Sequence, residues 1–80
     1  MKPSEKMSYI INKCYLNKDG YTAADLAIQL NCHERTVRRI INNIISMKQY
    51  WPMFYMEYLE SEDFDFRRGH YPKVLKVRLK

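Results

Sequence analysis

The chain is expected to fold as an α+β domain, mostly α, in which three helices precede a C-terminal β-hairpin. Three observations carry this expectation. Apolar residues recur at helical spacing in separate stretches as far as Ile45. Turn-forming residues divide those stretches at Asn17-Lys18-Asp19-Gly20 and again near Asn31. Beyond Pro52 the texture changes, first to an aromatic run and finally to a strict apolar/basic alternation from Lys73 to Lys80. With 80 residues, no linker and no internal repeat, residues 1–80 make a single domain.

The first helix is predicted over about residues 4–16. Pro3 and Ser4 suit a helix start, and Met7, Ile10, Ile11, Cys14 and Tyr15 form one apolar face. After the turn, Tyr21 is a brief extended residue. Thr22 followed by Asp25 then has the spacing of a capping box, in which hydroxyl and carboxylate pair with free amides of the first helical turn. A second helix over 23–30 follows, with Leu26, Ala27 and Leu30 on one face and the small Ala27 allowing close approach of a neighbour. Asn31 tolerates the left-handed conformation that ends helices. The third helix, over 34–48, carries Val37, Ile40, Ile41, Ile44 and Ile45 as a buried stripe. At about 100° per residue, Arg35, Arg39 and Asn42 lie opposite that stripe, with Thr36 and Arg38 on its flanks.

Pro52 blocks further helix. Residues 53–59 are rich in aromatic and apolar side chains and are predicted as a strand; residues 73–80, with Leu75, Val77 and Leu79 set against Lys76, Arg78 and Lys80, form its partner. Several of Tyr50, Trp51, Phe54, Tyr55 and Tyr58 are expected to fill the core between the hairpin and the first and third helices. An 80-residue monomer cannot bury both faces of such a strand, so the surplus is expected at a homodimer interface.

A chain this short has little room for an enclosed catalytic pocket, and no enzymatic activity is expected. The formal charge is +5, unevenly spread: residues 1–56 hold eight bases and four acids, residues 57–65 five acids and no base, residues 66–80 six bases and no acid. Basic surfaces attract phosphate polyanions, which makes nucleic acid the leading partner class. No segment is long and apolar enough to span a bilayer and no signal peptide is legible, so a cytoplasmic protein without a membrane partner is expected. Cys14 and Cys32 fall at apolar positions and read as reduced core residues; with His33 and His70 they lack the paired spacing of a zinc site, so no metal or other cofactor is expected.

The segments YTAADLA and LNCHERTVRRII, with a hairpin after them, resemble the winged helix-turn-helix family, especially small bacterial and phage regulators. The likeness covers Tyr21 to Ile45 closely and the remainder in layout. It implies a three-helix winged helix-turn-helix whose hairpin is the wing, and a sequence-specific double-stranded DNA-binding regulator of transcription whose third helix enters the major groove. Carried over residue by residue, it puts His33, Glu34, Arg35, Thr36, Arg38 and Arg39 at the DNA-facing start of that helix. The family usually has serine or threonine as the cap where this chain has His33.

Arginine presents a planar fork that matches guanine O6 and N7, so Arg35 and Arg39 are the candidates for reading bases. Asn42, one turn on, suits adenine or a phosphate; His33, Thr36 and Arg38 suit phosphates that set register. Glu34 would repel phosphate and is expected instead to cap the helix, with acceptance from cytosine N4 as the alternative. Arg67 and Arg68, beside Gly69, would reach the minor groove or the flanking backbone, provided the acids Glu60, Glu62, Asp63 and Asp65 point elsewhere. The bland alternative for the arginines is a solvated helix face. Two functional alternatives remain at this level: a winged-helix protein-interaction factor using the acidic loop and aromatic strand, and an architectural, excisionase-like protein that bends DNA. No small-molecule ligand is expected.

Overall fold

The computed structural model describes residues 2–80. Its elements run α1 (Pro3–Leu16), β1 (Tyr21–Thr22), α2 (Ala23–Leu30), α3 (Glu34–Ser46), a 3-10 turn (Lys48–Tyr50), β2 (Phe54–Glu60) and β3 (Lys73–Leu79). The architecture is α+β, three helices against a three-stranded antiparallel sheet.

The helix boundaries follow their local chemistry. The backbone N–H of Lys2 donates to Glu5 Oε2 at 3.2 Å ahead of α1. At α2 the capping box is complete: Asp25 N–H donates to Thr22 Oγ1 at 3.1 Å and Thr22 N–H to Asp25 Oδ2 at 3.4 Å. Asn31 ends α2 at φ 51°, in the left-handed region. The third helix stops at Ser46, short of the expected residue 48, because the chain tightens into the 3-10 turn ahead of Pro52.

The core is a layer of Ile10, Ile11 and Cys14 from α1, Leu26 and Ala27 from α2, Val37, Ile41 and Ile44 from α3, and Leu75 and Val77 from β3. Trp51, Phe54, Met56 and Tyr58 pack against it, so the aromatic run does contribute to the core as expected. Leu79, by contrast, remains 54% exposed at the end of its strand although its parity places it on the inner face.

The hairpin is joined by a third strand. Tyr21 pairs with Leu75 and Thr22 with Val74, so the sheet order is β1-β3-β2 and β3 is central. Gly20 makes this possible: its φ is 75°, and a Cβ there would run into the carbonyl oxygen of Leu75. The Asn17 side chain closes the preceding turn, with Nδ2 donating to Gly20 O at 3.1 Å. One sheet face lies on the helices. The other presents Tyr55, Glu57 and Leu59 opposite Arg78, Lys76 and Val74.

Candidate nucleic-acid interface

The floor of the candidate site is the apolar stripe of α3. Val37, Ile41 and Ile44 are fully buried, which sets the rotation of the helix and therefore which side chains face outward. Arg35, Arg38, Arg39 and Asn42 are all exposed on the far arc, and Thr36 is half-buried beside them. Asn43 is exposed on the same arc, one turn beyond Arg39. The helical spacing that singled out Asn42 was enough to find it, and it belongs with the candidate residues.

Among the described residues, neither Arg35 nor Arg39 has an ion-pair partner. Arg38 stands 3.8 Å from Glu34 one turn earlier, a weak pairing at a half-exposed position. His33 is the N-terminal cap residue of α3 and is exposed, but its side chain makes no capping hydrogen bond. Nor is Glu34 the expected cap. Both its carboxylate oxygens accept from Nη1 of Arg68, each at 2.7 Å. A negative charge in the first turn still suits the positive end of the helix dipole, yet the specific partner is a side chain from the loop between β2 and β3.

That loop is a built structure. Ser61 N–H donates to Pro72 O at 2.8 Å, and Asp65 N–H to His70 O at 2.9 Å, forming an isolated bridge. Asp65 Oδ1 accepts from the backbone N–H groups of Arg67 at 2.9 Å and Arg68 at 3.3 Å, while Gly69, at φ 71°, completes the turn. Asp65 Oδ2 lies 3.8 Å from Arg68 Nε. Arg68 is thus held between two carboxylates, and its pKa is raised chiefly by the hydrogen bond to Glu34. Arg67 has no ion pair among the described residues and is exposed. Of the two loop arginines, then, Arg67 is the one free to meet a phosphate, and Arg68 fastens the loop to the start of α3.

Between α3 and the hairpin lies an open cleft of about 560 Å³, lined in part by Arg38, Asn42, Tyr58, Arg68, His70 and Lys73. Asp25, Glu34, Glu60 and Asp65 face the same space, which makes it mixed in charge rather than a dedicated anion site. Burial pushes the Tyr58 hydroxyl pKa up, partly offset by nearby Arg38. Arg38 and Asn42 therefore sit at the wall between helix and hairpin, whereas Arg35, Arg39 and Asn43 project from the crest.

Cys14 is buried and free, and burial raises its thiol pKa to about 12, so it is protonated and inert at neutral pH. Cys32 is also free and half-buried. No group of three or more His, Cys, Asp or Glu residues among those described could hold a metal ion. No described helix is long and apolar enough to cross a membrane. Comparison with known proteins returns no matching family model, no matching curated protein and no matching solved structure.

Proposed function

We propose that this chain binds double-stranded DNA in a sequence-specific manner and acts as a small regulator of transcription, with α3 as the element that enters the major groove. The observation that carries this reading is the exposed arc of α3, where Arg35 and Arg39 stand without ion-pair partners among the described residues, on a helix whose rotation is fixed by three fully buried residues. Free guanidinium groups on a rigid helix suit bidentate contacts to guanine. Arg38, Thr36 and His33 supply phosphate contacts, Asn42 and Asn43 extend the polar arc, and Arg67 reaches the backbone or minor groove beside it. The helix, helix, helix, hairpin order is consistent with a winged-helix layout and supports the same reading.

Selection from a random duplex pool across a salt series tests the proposal. The expected result is enrichment of a defined site, with affinity falling on a log-log slope of roughly −4 to −8 if about five to eight phosphates are neutralised. Absence of both enrichment and salt dependence would falsify it.

A further inference from the structure

We propose that two copies of this chain associate through the outer faces of their sheets, about a two-fold axis lying across the strands. None of the described helices lies over this face, because α1, α2 and α3 contribute their buried residues to the other side of the sheet and only Tyr15 of α1 reaches its rim. Two shallow basins occupy it, of about 530 and 680 Å³, and they share Asp19, Glu57 and Lys76, so the surface is continuous.

The two basins are opposite in charge. Toward the loop end, Glu57, Glu60, Glu62 and Asp63 surround Leu59 and Phe64. Six of the nine acids in the chain line this basin, against a single lysine. Toward the other end, Lys18, Lys76 and Arg78 surround Tyr55, with Tyr15 of α1 and the inner-face Leu79 only at the rim. The apolar members of the outer face are large and open: Leu59 is 61% exposed and Tyr55 44%. The Arg78 guanidinium lies 4.6 Å from the Tyr55 ring centroid, which presents charge and ring together. At the junction Glu57 faces Lys76 in strand register and the charges balance. None of Glu60, Glu62, Asp63, Lys18 and Arg78 has an ion-pair partner among the described residues.

A face that is acidic at one end and basic at the other holds its own complement. Rotation by a half-turn about an in-plane axis lays the acidic basin of one copy on the basic basin of the next, twice, with apolar groups between. A foreign basic segment would match only the loop end. Association in this manner leaves the arginine arc of α3 free on both copies, and it is independent of what that arc binds.

Light scattering after size exclusion, without nucleic acid, measures the association directly. The wild-type chain is expected to be dimeric at tens of micromolar and to weaken as salt is raised. The pair Glu62→Lys/Asp63→Lys cancels most of the negative charge of the loop end, leaving four acids against three lysines there, and the pair Lys18→Glu/Arg78→Glu turns the other end acidic. Each pair alone should raise the dissociation constant roughly tenfold or more, and mixing the two variants should restore a heterodimer. These are surface changes, and circular dichroism confirms that each variant is folded. A monomeric wild type overturns the proposal and leaves the acidic basin to a foreign segment. A dimer indifferent to both charge reversals overturns it as well.

Discussion

Two regions carry adjacent arginines and look alike in sequence: Arg38-Arg39 on α3 and Arg67-Arg68 in the loop between β2 and β3. Their surroundings differ. On α3 the side chains radiate from a helix pinned by apolar burial beneath them, so Arg39 has no ion pair among the described residues and Arg38 only a weak one to Glu34. In the loop Phe64 packs edge to face on Phe66 and Tyr71, but all three stay exposed, and polar groups do the fastening to the rest of the fold: Asp65 holds the turn and Arg68 is held by Glu34. A count of cations is therefore not a count of cations available to a partner. Where burial supplies rigidity, charge is free to bind; where burial is lacking, part of the charge is consumed in holding shape.

The comparison can be broken most strongly from below. Ile41→Ala removes a fully buried side chain from under the arginine arc. The expected cost is about 2–5 kcal/mol, seen as a Tm lower by roughly 10 °C or more in calorimetry. A change of a degree or two would mean that the stripe does not anchor α3.

The next effect separates the two arginine pairs. Arg39→Ala should cost about 1–3 kcal/mol of discrimination between the selected site and its single-base variants. Arg68→Ala should leave that discrimination nearly intact, and Lys76→Ala, on the outer sheet face, should not relax it either. Competition titrations with both duplexes decide this, and equal losses from all three substitutions would contradict the assigned roles.

Releasing the fastening gives a smaller and more specific signal. In Glu34→Gln the Tm should scarcely move, because the ion pair is substantially exposed. Amide exchange at Arg67, Arg68 and Gly69 should quicken, and the salt slope of DNA binding should steepen by about one as Arg68 becomes available to a phosphate. Unchanged exchange in the loop would show that Asp65 alone holds the turn.

The last effect concerns the supporting layer and is absent at neutral pH, appearing only in alkali. Cys14 has a folded pKa raised from 9.0 to about 12 by burial, so its contribution to stability is present below pH 9 and is lost as pH rises toward 12. Denaturant midpoints should decline over that window more in the wild type than in Cys14→Ala compared with its own neutral value. At neutral pH, alkylation followed by mass spectrometry should modify Cys32 before Cys14; the reverse order would contradict the burial assigned to Cys14.

Much of the fold was legible because it rests on local rules. The capping box of Thr22 and Asp25, the left-handed Asn31 and the stripe through Ile41 each depend on residues within a few positions of one another. The outward set Arg35, Arg39 and Asn42 followed from the same periodicity, and Asn43 could have been added by continuing the count. Less legible was anything that joins distant segments. Tyr21 and Thr22 are too short a stretch to announce a strand, and they become one only because β3 passes beside them over Gly20. The expectation that Glu34 caps its helix was reasonable from its position, but its partner lies 34 residues away.

By itself, then, the sequence determined the three helices, the hairpin, and which face of α3 is polar, because backbone capping and the period of apolar residues act over one or two turns. Tertiary structure alone decided that β3 is the centre of the sheet, that acids and bases divide the outer sheet face between its two ends, and that Arg68 is bound to Glu34 while Arg67 is not. Those outcomes depend on which surfaces meet when the helices and the sheet bury their apolar sides together, and no local spacing encodes that meeting.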